Sequence, residues 1–360
     1  MSLEQINGEG FRFYRYDPGD GSEPVDLLSV TSIRSLCGEP YNLVNWKLAN
    51  LADAALGTQK RTVIGPRGGV REIRQVFEYP CEFARMYEET EGRQDGIDRL
   101  RAWLRERGEE PRNIAAMRGS IVHEAIEKNV AWDRIEMPYV EAAFAGLSSR
   151  DRARVKRDLS DEDVYFIRNS VRQYWAFRKA VPMVILSRET RVINLTVGYA
   201  GTFDALAWVL GNIDTDGSFV PLPQPRIEKA QSLRTETVTR TDIAEIGGSI
   251  CLIDWKTATD IYTDNVVQAT AYLAAEQAII DGKRDDRVTQ MLGPSLFGGI
   301  VHIRPNEYGL YLFEIESETI RAFLGSVAFA RFLARYPKPD PIFKSIIKGK
   351  SEEVDDAAEI

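Results

Sequence analysis

The sequence predicts an α/β or α+β domain, with a central mixed β-sheet flanked by helices and a helical N-terminal region. Three observations predict this class. Helical periodicity with many charges dominates residues 82–180, strand patterns replace it after residue 180, and one helical segment stands between later strands like a crossover connection. At 360 residues, the chain suits one large domain or one domain with sizeable insertions.

The first part of the chain is predicted to be a helical and hairpin region over residues 1–110. Its apolar stretch VDLLSVTSIRSL is followed by NLVNWKLANLADAAL, which has helical spacing. Residues 60–80 are typical of a β-hairpin that turns at Pro66-Arg67-Gly68-Gly69.

Residues 111–336 are predicted to form the core, and residues 337–360 an acidic tail. Two strands, MVILSRETRVINLTV and GYAGTFDALAWVL, join near Gly198. A polar, proline-containing insertion over 211–247 precedes the buried strand SICLIDWKT and the predicted helix NVVQATAYLAAEQAII. The strands FGGIVHIRP and YGLYLFEIE form a hairpin, and a helix over about 317–336 closes the fold.

Composition restricts the class of protein. Hydrophobic residues make up 44% and charged residues 28%, as in soluble globular proteins. There is no apolar run long enough for a bilayer and no signal-peptide pattern, so we expect a cytoplasmic protein without a membrane partner. The net charge of −8 argues against general polyanion coating, but it leaves room for a local basic groove.

The three cysteines, Cys37, Cys81 and Cys251, are far apart in the chain. They match no zinc-type spacing and are too few for a four-cysteine iron–sulfur cluster. Buried or free thiols in a reducing compartment are the simpler interpretation.

The pattern that carries chemistry is the pair of strands GTFDAL and LIDWKT. Residues two apart in a strand face the same way, so Asp254 and Lys256 project together from an apolar strand. Asp204 lies in the other apolar strand, and adjacent strands would bring both carboxylates to one Mg²⁺ or Mn²⁺ ion. This arrangement suits phosphodiester cleavage. A neutralised ion pair at a strand end is the alternative for Asp254 and Lys256 alone.

Further residues occur in order around these strands. His123 and Glu127 share one face of a predicted helix, and Gln268 and Tyr272 share one face of another. Glu189 precedes Asp204 in the adjoining strand, either as a further acid of the site or as an exposed charge. The alternatives for the helical pairs are a structural histidine and an ordinary amphipathic helix.

The ordered set GSIVHEAIE, GTFDAL, LIDWKTA and QATAY resembles the RecB-like branch of the PD-(D/E)XK nuclease superfamily, especially phage and CRISPR-associated exonucleases. The resemblance covers about residues 28–316 and implies the restriction-endonuclease-like core. It implies metal ligation by His123, Asp204, Asp254 and the Trp255 carbonyl, catalysis by Lys256, and DNA positioning by Gln268 and Tyr272. Glu189 is a weaker match.

Two features depart from the family pattern. The missing cysteines predict no iron–sulfur cluster, although many CRISPR-associated relatives hold one. The long gap between Asp204 and Asp254 leaves three roles open for the 211–247 insertion: packing over the site, guiding substrate or binding a partner. No nucleotide-binding P-loop is present, so we expect no nucleotide cofactor, and unwinding would need a separate helicase.

The sequence therefore predicts a Mg²⁺- or Mn²⁺-dependent DNA exonuclease of phage or bacterial recombination or repair, with DNA and a helicase or recombination protein as partners. The alternatives are a structure-specific or single-strand endonuclease, and a catalytically silent DNA-binding or scaffold subunit.

Arg304 is a candidate phosphate contact and His302 a structural residue. The basic run from Arg150, with Tyr174 and Trp175, either lines a DNA channel or forms a solvated helix face, which charge runs favour.

Overall fold

The alternation of strand and helix patterns along the chain is reproduced in three dimensions. A computed structural model describes residues 2–7, 12–35, 58–64, 70–76, 85–86, 89, 94–213, 219–293 and 297–335. The strands are β1 (Ser2–Asn7), β2 (Arg12–Asp17), β3 (Val25–Ser29), β4 (Thr58–Ile64), β5 (Val70–Val76), β6 (Met183–Asn194), β7 (Tyr199–Val209), β8 (Gly211–Ile213), β9 (Phe219–Pro221), β10 (Ser249–Lys256), β11 (Gln277–Ile280), β12 (Lys283–Arg284), β13 (Phe297–Ile303) and β14 (Tyr308–Glu314).

The helices divide into a group before β6 and a group after β7. They are α1 (Val30–Ser35), α2 (Gln94–Glu127), α3 (Met137–Gly146), α4 (Ser149–Arg154), α5 (Asp161–Ala180), α6 (Gln224–Ser232), α7 (Arg240–Ile246), α8 (Thr263–Leu273), α9 (Asp286–Met291) and α10 (Ser317–Arg335). Within the described ranges, no helix combines the length and apolar character needed to cross a bilayer.

A large mixed sheet forms the centre of the molecule, as predicted. Its strand order is β1-β2-β3-β7-β10-β13-β14, and β6 continues from the other edge of β7 to β11 and β12. The β10–β13 and β3–β7 pairs are parallel, whereas β6–β7 and β13–β14 are antiparallel. The predicted hairpins at β6–β7 and β13–β14 are therefore confirmed.

One edge of β7 is shared by two different strands. Near its start, Tyr199 and Ala200 pair with β3, and from Ala205 to Val209 the same edge pairs with β10. Asp204 lies just before the change of partner, and β10 runs on to Lys256 beyond its pairing with β7. The sheet thus forks beside Asp204, which leaves space for side chains between the two strands.

Helices cover both faces of the sheet because the strand residues alternate between two cores. The first core contains apolar residues of α2, α3 and α5 packed on Ala205, Ala207, Ile253 and Val301. The second core contains residues of α1, α8, α10, α6 and α7 packed on Leu206, Trp208 and Leu252. The site therefore lies between two buried layers that fix its strands.

The prediction of one helix over NVVQATAYLAAEQAII is wrong for the second half of this segment. Helix α8 ends at Leu273, and Gln277–Ile280 forms β11, which pairs with β6. The backbone N–H of Glu276 donates to Ile193, and Asp281-Gly282, both with positive φ, makes the two-residue turn to β12. Pairing with a strand distant in sequence overrides the local helical spacing, and the Asp-Gly pair is a hairpin signal.

Strands β1 and β2 extend the sheet where the sequence predicted no strands. The predicted boundary between the N-terminal region and the core, at residue 110, falls inside α2. The predicted hairpin near 60–80 is confirmed as β4–β5. Its turn at Pro66-Arg67-Gly68-Gly69, the helical pattern over 42–56 and the acidic tail over 337–360 lie outside the described residues.

The 211–247 insertion contains the β8–β9 hairpin and the helices α6 and α7. Its residues Ile227 and Ile243 belong to the core that includes Trp208, and the Trp208 indole N–H donates to the Gly247 carbonyl at 2.9 Å. The insertion leaves the sheet just after Val209 and returns to it just before Ser249, and these two residues pair with each other. This end of the strands is about 17 Å from Asp204, five residues along β7.

Candidate active site

The fork in the sheet brings together the two predicted aspartates and the lysine. Lys256 Nζ lies 2.6 Å from Asp254 Oδ2, and Asp204 Oδ2 accepts a hydrogen bond from the Trp255 backbone N–H at 2.7 Å. Because β10 has left β7 at this point, the Asp204 carboxylate replaces the missing partner in the sheet. The Trp255 side chain is buried against Tyr174 and Phe177, so it holds this part of β10 in place.

Helix α2 supplies His123 to the same place. The His123 Nδ1 atom is 3.7 Å from Asp204 Oδ2. One turn before it, a Cβ at Gly119 would lie 2.8 Å from the Thr257 hydroxyl oxygen, which is too close. The glycine in GSIVHEAIE therefore permits the approach of α2 to the end of β10 that the site requires.

Glu189 is also part of this cluster. It lies opposite Asp204 in the β6–β7 register, since Arg188 pairs with Ala205 and Thr190 with Phe203. Its φ of 42° is uncommon for a residue with a side chain and marks local strain of the order of 1–3 kcal/mol. Such strain is concentrated at functional sites, but Glu189 is also exposed, so its role as an acid of the site stays a prediction.

The cluster holds more negative charge than its cations offset. Partial burial raises the pKa of Glu189 to about 8, and the charges of Asp204, Glu127 and Asp254 act in the same direction. Glu189 is in contact with solvent. The negative charges of Asp204, Glu127 and Asp254 therefore explain its raised pKa better than burial does. Burial also raises the pKa of Asp254, Asp204 adds to the effect, and Lys256 opposes it.

A divalent cation suits this excess of carboxylates. Asp254 Oδ2 is buried and accepts no hydrogen bond of normal geometry within the described part of the chain; its 2.6 Å contact with Lys256 is an ion pair. Carboxylate oxygens with one imidazole nitrogen are donors that Mg²⁺ and Mn²⁺ accept. Among those residues no three His, Cys, Asp or Glu side chains already converge as a ligand set. The donor types fit the ion, and binding would require the side chains to move towards a common point.

Gln268 and Tyr272 are buried on α8, with Gln268 Nε2 donating to the Tyr272 hydroxyl at 2.8 Å. The structure adds Arg34, which sequence reasoning missed. Arg34 Nη1 donates to Gln268 Oε1 at 2.8 Å, and its Nε lies 3.1 Å from Asp264 Oδ2. Arg34 thus fixes both the start and the middle of α8. No local pattern in SVTSIRSL signals a partner 234 positions away.

Arg304 and His302 hold the loop that follows Lys256. The Arg304 guanidinium donates to the Thr259 carbonyl at 3.0 Å, and His302 Nε2 lies 2.6 Å from the Ala258 carbonyl, to which it donates. His302 has the structural role expected of it. The structure does not bring Arg304 to the carboxylates, and its contact with phosphate stays a prediction.

The basic run is used mainly for internal contacts. Arg152 donates to the carbonyls of Ala145 and Leu147, and Arg157 pairs with buried Asp163 at 2.8 Å. Tyr174 is fully buried, so it does not stack on bases.

Cys251 is also buried, and its burial raises the pKa of the thiol. Cys37 and Cys81 lie outside the described residues.

No protein-family model matches the chain, and a search of curated proteins gives no match.

Proposed function

We propose that the chain is a Mg²⁺- or Mn²⁺-dependent deoxyribonuclease with a RecB-like PD-(D/E)XK core, acting as an exonuclease in phage or bacterial DNA recombination or repair. The observation that carries this proposal is the convergence, at the fork of the sheet, of residues predicted separately from the sequence. His123, Glu189, Asp204, Asp254 and Lys256 come from α2 and three different strands.

The ion would be held by Asp204, Asp254 and His123, with the Trp255 carbonyl as the further predicted ligand. Bound there, it would lower the pKa of a coordinated water and offset charge on the phosphate. Lys256, already positioned by Asp254 at 2.6 Å, would orient the attacking water or stabilise negative charge that develops on the phosphate oxygens. Glu189, which lies opposite Asp204 in the strand register, would be a further acid of the site.

The chemistry predicts that Asp254→Ala, Lys256→Ala and His123→Ala each abolish Mg²⁺- or Mn²⁺-dependent cleavage while the fold stays intact. End-labelled single- and double-stranded DNA, with products sized on a gel, would measure this, and circular dichroism would check the fold. Asp286→Ala, which removes an exposed carboxylate on α9, is the matched control and should cleave normally. Full activity of Asp254→Ala would exclude the assignment.

The mode of cutting needs a separate substrate. An obligate exonuclease requires an end, so circular single-stranded DNA should remain uncut while the linear form is degraded. Cleavage of the circle would instead identify an endonuclease that uses the same residues.

A further inference from the structure

A cavity of about 460 Å³ opens beside the catalytic strand, at the edge of the sheet formed by β13 and β14. Its lining includes Asp260, Ile261, His302, Glu307 and Tyr311. Its volume lies in the range of small-ligand sites, and none of its residues has a role in the metal cluster.

The strand register connects this cavity to the cluster. Asp254 pairs with Ile300 on β13, and Ile300 pairs with Tyr311 on β14. Paired residues of neighbouring strands face the same side of a sheet, so Tyr311 projects from the same face as Asp254. Two strand spacings separate their backbones, which is about 10 Å. This distance is comparable to that between a base and a neighbouring phosphate, if the phosphate binds the proposed cation beside Asp254.

Tyr311 is arranged as an open aromatic surface. Its side chain is 53% exposed, the largest exposure among the large hydrophobic residues that the structure describes. A Cβ at Gly309 would come within 2.8 Å of the Tyr311 ring, so the ring lies over the glycine on the same face. The ring therefore leans along β14 over Gly309 and lines the cavity, and its exposed part can contact a planar ligand.

The charges of the cavity determine which part of a nucleic acid fits. Asp260 and Glu307 bring negative charge to its lining, and like charges disfavour a phosphate group. An uncharged base avoids this repulsion, and its amino groups can donate to carboxylates. Aromatic side chains bind unpaired bases by stacking, with little dependence on sequence.

We infer that Tyr311 stacks on an unpaired base of the DNA strand being cut, next to the scissile phosphate. The inference rests on the proposed nuclease function and extends it by naming the substrate form, a single-stranded or frayed end. A base pair inside a duplex is covered on both faces by its neighbours and has no free face for the ring.

The experiment measures KM and kcat on linear single-stranded oligonucleotides in which one abasic position is moved stepwise away from the scissile linkage. For intact DNA, Tyr311→Ser should raise KM about tenfold, since stacking is lost, whereas Tyr311→Phe should stay within about twofold of the wild type. Phe329→Ser removes a similarly exposed ring, 51% exposed on α10, and should leave KM unchanged.

The abasic series locates the base. Wild type should lose affinity at one abasic position near the cut, and Tyr311→Ser should show no additional loss there, because its contact is already missing. Identical abasic profiles for wild type and Tyr311→Ser would overturn the stacking site while the nuclease assignment stands. Absence of cleavage of every oligonucleotide by the wild type would overturn the proposed function and the stacking site with it.

Discussion

Asp254 and Glu189 are carboxyl groups held where their negative charge is disfavoured. Asp254 is buried with Asp204 nearby, and Glu189 adopts a left-handed backbone conformation opposite Asp204. Lys256 lies 2.6 Å from Asp254 Oδ2, and His123 Nδ1 lies 3.7 Å from Asp204 Oδ2. Strain and charge crowding persist only where the surrounding fold enforces them, and such clusters are typical of functional sites. This crowding of carboxylates supports the cation site that we propose.

Arg34 is predicted to act as a positioning residue for α8. Arg34→Ala would release Gln268 and Asp264 together, and displacement of the site residues should lower kcat about tenfold to a hundredfold. Arg34→Lys should not restore activity, because a lysine lacks the planar fork that contacts both partners. Steady-state kinetics on linear DNA would measure the effect.

The double variant Arg34→Ala/Gln268→Ala separates positioning from general destabilisation. If Arg34 acts through Gln268, the double variant should lose little more activity than either single variant. Arg15→Ala, which breaks an exposed pair with Asp26, should behave like the wild type. Additive losses in the double variant would contradict the positioning role.

The residues of the site differ in how far the sequence could predict them. Asp254 and Lys256 follow from the two-residue period of a strand, and Gln268 and Tyr272 follow from the turn of a helix. Arg34 could not be predicted, because its partners are distant in sequence and only the packing of α1 on α8 brings them together. The strained backbone at Glu189 has no signal in the residue types around it, since glutamate does not favour positive φ.

At the scale of elements, α2 and α5 are joined by a buried ion network that also fixes the helix carrying His123. Asp163 on α5 is fully buried and contacts Arg118 Nε at 2.7 Å and Arg157 at 2.8 Å. Burial alone would raise the pKa of Asp163, but these two arginines outweigh it and lower the pKa to about 2. The network therefore links the stability of the helical layer to pH.

Asp163→Asn should lower the free energy of unfolding at pH 7 by about 3 kcal/mol, because Arg118 and Arg157, both partly buried, lose the buried carboxylate that they share. The folded pKa lies below the ordinary value of 3.8. The ion pairs therefore contribute fully above about pH 4 and are lost as the pH falls towards 2. Urea unfolding from pH 7 to pH 3 should show the difference from wild type shrinking below about pH 4.

The control for this series is Asp95→Asn on α2, whose pair with Arg99 is exposed. It should change stability by less than about 1 kcal/mol at every pH. A constant difference between Asp163→Asn and wild type down to pH 3 would contradict the link to the Asp163 carboxylate.

Long, strongly patterned elements were predictable, and elements set by distant pairing were not. Strands β6, β7 and β10 and helix α10 carry their own periodicity, so the sequence predicts them. Strand β11 follows an alanine-rich helix and exists because the edge of β6 is available to it. Strands β1 and β2 likewise depend on β3 and its pairing with β7.

At the scale of the whole molecule, β7 connects two regions with different tasks. Asp204, in the middle of β7, faces the fork, and Trp208, close to the end of the strand, anchors the 211–247 insertion. The described contacts of the insertion include β6, β7 and helix α9. Arg240 donates to carbonyls at the end of α9, and Arg287 of α9 donates to the Thr235 carbonyl. The insertion thus extends the hydrophobic core at the end of the strands away from the carboxylates.

This separation predicts that the insertion supports stability without contributing to the chemical step. Ile243→Ala, at a buried position of α7, should lower the free energy of unfolding by about 2–4 kcal/mol through the lost burial and the cavity left behind. Its kcat, measured at a temperature where the variant is fully folded, should equal that of the wild type. Glu245→Ala, an exposed residue of the same helix, should leave both quantities unchanged. A reduced kcat in folded Ile243→Ala would show that the insertion reaches the site, because the loss of a distant apolar contact has no other route to the carboxylates at the fork.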